Sequence, residues 1–390
     1  MILNHFISNS KPRIHRCNHT TEERIEPHAT ARTQWTQSGP HATINHQPTL
    51  MIDSRMYVVA DSLDDLLHKV FTKLLRRPDF VRPTKGDALE EFGNLLVLRN
   101  PLARLSRTET KGTIFSCLGE FLWYMRGSNR LDVIKHYLKE YGRFSDDGKT
   151  IYGAYGPRIF NKDGIDQLAY IMDRLTTSPT SRKAVLQLFD ARDVTEEHKD
   201  VPCTCTLQFA VRKRRLSLHV NMRSNDAYIG LPHDIFSFTL LQEFIARCLG
   251  LRLGPYYHSV GSLHLYTTDR EDALRYLREG FQDPQPMPPM PTDSPGLHLL
   301  SLLDAEEHIR STGCIPAHVD SLPPYWRDLV RLLQIFKEAD LRVLAKLKDE
   351  MSSKVFETYI RRRHKKRDAK QELPLFEWSG EKLYVQDAQQ

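Results

Sequence analysis

Apolar residues at positions 63, 66, 67, 70, 71, 74 and 75 of "DSLDDLLHKVFTKLLRR" (61–77) recur at helical spacing, with Asp61 or Ser62 placed to cap the start. "TIFSCLGEFLWYMRGSN" (113–129) is apolar nearly all round, which predicts a buried helix closing at Gly127. "AVLQLFD" (184–190) reads as a strand. "CTLQFAV" and "LSLHVNMR" flank the basic stretch "RKRR" (212–215), and the second run sets Leu216, Leu218, Val220 and Met222 on one face. Together they predict a β-hairpin with an exposed basic tip. "DIFSFTLLQEFIARCLG" (234–250) predicts a helix ended by Gly250. "DPQPMPPMPTDSPG" (283–296), with six prolines, predicts extended or looped chain. Residues 324–351 have amphipathic helical spacing, and "RRRHKKR" (361–367) is a charge run. Residues 1–50 show neither period and few aliphatics, which predicts disorder; Met51 and Met56 are plausible alternative starts.

Composition narrows the picture only slightly. With 390 residues, 40% hydrophobic and 27% charged, the chain can bury a sizeable core. A net charge of +6 suits an anionic small substrate or nucleic acid and decides for neither. The two basic runs lack interleaved aromatic residues, so they read as a solvated hairpin tip and a solvated helix end rather than a nucleic-acid surface. No apolar run approaches the ~18 residues of a membrane span, and no apolar leader marks a secretory signal. Six cysteines without regular spacing fit a reducing, cytoplasmic setting.

Candidate chemistry clusters in the middle third. Cys203 and Cys205 form a C-x-C without the two further ligands that a zinc site needs, so no metal is expected. Cys203 follows Pro202 at the start of a strand, where a thiol is held and exposed; an arginine beside it would favour the nucleophilic thiolate. Glu120 lies among Phe115, Leu118, Phe121, Leu122 and Trp123. Burial raises the proton affinity of a carboxyl, which suits proton transfer near neutral pH. His264 and Tyr266 alternate along "GSLHLY" and so face the same way. Asp226 and Asp234 fall within the otherwise apolar run "RSNDAYIGLPHDIFSF" (223–238), where a carboxylate needs a partner, either a side chain or a ligand.

In chain order these pieces resemble the thymidylate synthase superfamily. The resemblance rests on Pro202-Cys203 with Gln208-Phe209, on R-S-x-D-x-x-x-G-x-P-x-[ND]-I at 223–235, and on His264-Leu265-Tyr266. "GEFLWYMRGSN", "IYGAYGPR" (151–158) and "SRKAVLQLF" (181–189) match three upstream motifs. The resemblance implies an α/β (α+β) domain on a large, twisted, mostly antiparallel sheet with flanking helices. Here that domain would span 56–282, after a disordered 1–55 and before a Pro-rich connection (283–296) and a mainly helical extension (297–390). It implies homodimers packed sheet to sheet that share active sites. It also implies a pyrimidine nucleoside monophosphate as substrate and 5,10-methylenetetrahydrofolate as carbon donor. By motif position, Cys203 resembles the nucleophile that adds to C6. Arg223 and Ser224, with Arg182 and Lys183 of the partner subunit, resemble the phosphate site, and Arg82 of "VRPTKGD" is a further candidate. Lys183 stands where an arginine is usual, a point charge in place of a planar fork. Asp226 resembles the residue that positions the base, His264 and Tyr266 the pair on the sugar 3′-hydroxyl, and Glu120 and Tyr152 the proton-relay groups. Tyr137, Tyr141 and Phe144 are aromatic candidates for the folate side, where the family's tryptophans are missing.

Asp234 stands where thymidylate synthases carry an asparagine that reads the pyrimidine edge. Uracil offers N3–H as donor and O4 as acceptor; cytosine reverses both. In the deoxycytidylate hydroxymethylase branch this position is Asp, so Asp234 resembles a cytosine reader. The expected activity is hydroxymethylation of dCMP or CMP at C5. A thymidylate synthase with an unusual base reader is the alternative within the same chemistry. A nucleotide-binding sensor or scaffold without turnover is the alternative outside it.

Overall fold

The computed structural model describes residues 56–83, 86–108 and 114–372. The disorder expected of residues 1–55 and the tail "LYVQDAQQ" lie outside the described residues. Six strands form one sheet: β1 (Tyr57–Ala60), β2 (Ala88–Leu98), β3 (Val185–Gln187), β4 (Thr204–Arg212), β5 (Arg215–Asp226) and β6 (Arg252–Tyr266). Their order is β1-β2-β6-β5-β4-β3. The β1/β2 and β5/β6 pairs are parallel and the other three antiparallel, so the sheet is mixed. β4 and β5 are the expected hairpin. Its tip residues Lys213 and Arg214 take φ of 49° and 55°, the left-handed pair that a two-residue turn between twisted strands requires.

One face of the sheet is core. Leu207, Phe209, Leu218 and Val220 are fully buried there, while Gln208, His219, Asn221 and Tyr257 are partly or fully exposed. Helix α1 (Leu63–Leu74) starts at Ser62, whose hydroxyl accepts from Asp65 N at 3.1 Å. Helix α2 (Ile114–Met125) is buried along its length and gives way at Gly127, φ 67°. Short helices α3 (Leu131–Tyr137), α4 (Tyr155–Phe160) and α5 (Gln167–Thr177) follow. Helix α6 (Gly230–Cys248) begins four residues before the expected start, because Pro232 in its first turn gives up only an N–H that has no helical acceptor. It packs on α2 and ends before Gly250, φ 62°. Helix α7 (Arg270–Arg278) completes this part.

The proline-rich stretch is not a free connection. Met287 and Met290 are buried; Met287 N donates to Leu102 O at 2.8 Å, and Met290 N to Glu243 Oε1 at 2.8 Å. Glu243 also accepts from Arg104 at 2.7 Å, and both of these side chains are fully buried. Removing one partner of such a pair strands the other charge at a cost of about 3–5 kcal/mol. Helix α8 (Pro295–Thr312) takes the last two residues of the expected loop, and α9 (Pro324–Lys337) and α10 (Leu341–Asp349) divide the 324–351 run. Helix α11 (Glu357–Glu372) follows.

These helices explain why α2 is apolar all round: α9 covers the side that would otherwise meet water. They also correct the reading of 361–367 as solvated. Arg363 lies over the rings of Phe336 (4.6 Å) and Phe115 (5.9 Å), and Arg362 donates to Thr108 O at 3.4 Å. A guanidinium tolerates this because its planar, weakly hydrated face stacks on aromatic rings. Among the described residues no helix is long and apolar enough to cross a membrane, and no group of three His, Cys, Asp or Glu side chains could hold a metal.

Candidate active site

Cys203 precedes β4 and is strapped to β5. Its carbonyl accepts from Arg223 N at 2.9 Å. The exposed Arg223 guanidinium turns back to donate from Nε to Pro202 O (3.0 Å) and from an Nη to Val201 O (3.0 Å). The thiol is partly exposed and in no disulfide. Burial pushes the Cys205 thiol above its ordinary value, against the pull of Arg223.

The ends of β5 and β6 bring the next residues together. Asp226 lies opposite His264 in the parallel register, and Ala227 N donates to His264 O at 2.7 Å. The His264 and Tyr266 rings meet edge to face, 4.9 Å between centroids, so they share a face as expected. Burial, then the charges of Asp226 and Cys203, push the Tyr266 hydroxyl up, which sets all three in one electrostatic neighbourhood. Gly261 lets the strands close: a Cβ there would stand 2.7 Å from Arg223 O.

Asp234 lies at the start of the second turn of α6. Gly230 clears its approach, because a Cβ at that position would fall 2.9 Å from Asn225 Nδ2. That amide donates to Asp234 Oδ2 at 2.8 Å. Burial, and after it the charge of Glu120, holds the Asp234 carboxyl up at about 8, against Asn225's donor and nearby His233. Glu120 on α2 is 5% exposed, and its Oε1 accepts from the Tyr141 hydroxyl at 2.6 Å. Two buried tyrosines feel these charges. Tyr124 is pushed up by burial and then by Glu120, Tyr155 by burial and then by Asp234 and Cys203. Tyr155 Oη accepts from the Thr204 hydroxyl at 2.9 Å.

Among the other expected residues, Tyr152 and Tyr137 have partners of their own. The hydrogen bond to Glu120 comes from Tyr141, not from Tyr152. Tyr152 stacks on His198 at 3.4 Å between centroids, beneath the Arg158 guanidinium; burial and the hydrogen bond to Asp193 push its hydroxyl up. Arg82 is 85% exposed, 3.7 Å from Asp87, in the loop before β2; Asp87 O accepts from Thr267 N just beyond Tyr266. Ser224 is partly exposed opposite Ser262. Arg182 and Lys183 are exposed on the approach to β3. Tyr137 cannot offer a stacking face: it is 8% exposed, and its hydroxyl donates to Glu306 of α8 at 3.0 Å. Tyr141 and Phe144 keep partly exposed rings.

Sequence reasoning missed Tyr155, Asn225 and His258, and it placed Tyr141 on the folate side rather than on Glu120. Asn225 lay inside a quoted motif. His258 alternates with Val260 at a buried strand position, where a polar side chain signals a buried partner.

Two comparisons bear on this arrangement. Residues 89–298 match the family model described as thymidylate synthase. Over 230 residues the chain is 27% identical to a deoxyuridylate hydroxymethyltransferase of Bacillus phage SP01, covering 55% of this chain and 60% of the relative's length. With the family model covering just over half the chain, on the mixed sheet that carries Cys203, Asp226 and His264, the chain belongs to the thymidylate synthase family.

Proposed function

We propose that the protein transfers a one-carbon unit to C5 of a pyrimidine nucleoside monophosphate, hydroxymethylating dCMP or CMP. The observation that carries this reading is the meeting of Cys203, Asp226, His264 and Tyr266 at one end of β5 and β6, with Asp234 and Glu120 held together beside it. A pyrimidine C5 is a weak nucleophile. Addition of the Cys203 thiolate to C6 makes C5 enolate-like, and departure of the thiolate restores the ring. Arg223 holds the 201–203 segment in place and presents an exposed guanidinium for a phosphate dianion. Glu120, bonded to Tyr141, moves the proton that leaves C5, and His264 with Tyr266 takes the sugar hydroxyl.

The partly exposed rings of Tyr141 and Phe144 beside Glu120 fit a planar pteridine. Methylenetetrahydrofolate, when bound, supplies the carbon. The half-exposed sheet face supports a homodimer, and the exposed Arg182 and Lys183 are free to serve the partner's phosphate site. The phage relative's name supports the hydroxymethyl outcome.

A second reading, dUMP as substrate, is favoured by the phage relative, which is named for deoxyuridylate, and by one observation of the site. With its pKa held up at about 8, Asp234 is a neutral acid at pH 7 and offers one donor and one acceptor, as an amide does. Tritium release from C5-labelled dCMP, CMP and dUMP separates the readings. Release from the cytidine nucleotides, lost in Cys203→Ala, is expected; release from none of the three would refute the function.

A further inference from the structure

Behind Asp234 runs a chain of buried polar groups that no step of the proposed reaction uses. Tyr256 Oη lies 2.7 Å from His258 Nδ1, and His258 Nε2 lies 3.0 Å from Asn225 Oδ1. Asn225 Nδ2 lies 2.8 Å from Asp234 Oδ2. Tyr256 and His258 are fully buried and Asn225 is 4% exposed. Polar groups sealed in a core cost free energy unless each has a partner, and these are partnered in series.

The chemistry of each group gives the series a direction. An amide oxygen only accepts, so the proton on His258 sits at Nε2. Burial pushes the His258 pKa down to about 3, so the ring is neutral and Nδ1 carries a lone pair that accepts a hydrogen bond from the Tyr256 hydroxyl. At the other end the amide N–H meets Asp234 Oδ2, which must accept. When the carboxyl is neutral, its proton is left to Oδ1.

We propose that the Tyr256–His258–Asn225 chain determines base choice: by claiming Asp234 Oδ2 as an acceptor it assigns the carboxyl proton to Oδ1, so Asp234 meets the pyrimidine edge in one donor–acceptor order only. This rests on Asp234 being the base reader. A neutral carboxyl whose proton can sit on either oxygen satisfies cytosine and uracil alike. One whose proton is assigned satisfies one edge and sets like against like, twice, on the other. The three residues position Asp234 and do not touch the nucleotide.

The test is competition between dCMP and dUMP for C5 tritium release at pH 7, in wild type, Tyr256→Phe and Asn225→Ser. Tyr256→Phe removes one buried oxygen and frees His258 to take either tautomer; Asn225→Ser is the second variant should the first fail to fold. The chain predicts that the preference collapses toward parity by about tenfold or more, because the disfavoured nucleotide's kcat/KM rises. A purely structural role lowers both nucleotides together, and an unchanged ratio in a folded variant overturns the proposal. Nitrogen-15 shifts of His258 in the ligand-free protein give a second readout: a proton on Nε2 is expected, and one on Nδ1 reverses the chain and overturns it. A wild type that prefers dUMP refutes the cytosine reading alone, since a preference of either sign should still collapse. A wild type active on neither nucleotide removes base choice, and the proposal with it.

Discussion

The Tyr141 hydroxyl donates a 2.6 Å hydrogen bond to Glu120 Oε1, joining the 139–144 turn to a carboxyl buried at the middle of α2. Burial, then the Glu120 charge, pushes the Tyr141 hydroxyl well above its ordinary range, so it stays a donor throughout the working pH range. Tyr141→Phe leaves Glu120 in place without its donor. A hydrogen bond to a charged group is worth about 1.5–3 kcal/mol, so kcat should fall roughly tenfold to a hundredfold. The nucleotide KM should stay within about threefold, because the hydroxyl acts on Glu120. Steady-state kinetics on a variant of unchanged melting temperature checks this; an unaltered kcat refutes the role.

Asp234 gives a pH signature in the ligand-free protein. Its pKa is held up at about 8 when folded, against an ordinary 3.8. Between these values the folded state keeps a proton that the unfolded chain has released. The group's contribution to stability therefore falls as pH rises from about 4 to about 8, and is level below and above that window. Asp234→Asn lacks this dependence. Its stability relative to wild type should climb across the window and then plateau. Denaturation at intervals of one pH unit measures the difference, and parallel curves would contradict the raised pKa.

Much of the fold was legible because its signals are local. Helix α1 shows its period and cap, the β4–β5 hairpin its alternation and basic tip, and α6 its closing glycine. β2 was missed because Glu90 and Glu91 break its apolar pattern; Glu91 is 5% exposed and paired with Arg77. Only the end of β6 was visible, since Gly254, Pro255 and Gly261 interrupt the rest. Arg363 read as solvated because charge in sequence does not reveal aromatic faces folding over it from Phe115 and Phe336. At the site, the motif residues Cys203, Asp226, His264 and Asp234 were legible, each from a few neighbours. Tyr141 on Glu120 and His258 on Asn225 depend on contacts across 21 and 33 positions, which no periodicity records.

Sharing of sites between subunits has its own test. Arg182 and Lys183 stand exposed beside the half-exposed sheet face. Cys203→Ala and Arg182→Ala chains should each be inactive alone. Mixed under conditions of demonstrated subunit exchange, they should recover up to roughly a quarter of wild-type activity, as one intact site forms in half of the dimers. Cys205→Ala should keep most activity on its own. No recovery on mixing would show that each chain builds its site alone.

The most direct measurement is the competition of dCMP with dUMP in wild type and Asp234→Asn. Each misread buried polar group costs about 1–3 kcal/mol, so two can shift relative kcat/KM by roughly two to four orders of magnitude. The account predicts that wild type favours the cytidine nucleotide and that Asp234→Asn favours dUMP. Asp234 lies inside α6, and Asn keeps an oxygen that accepts from Asn225 Nδ2, so a merely structural Asp234 would leave the ratio untouched. An unchanged cytosine-to-uracil ratio in a folded, active Asp234→Asn protein would contradict the account.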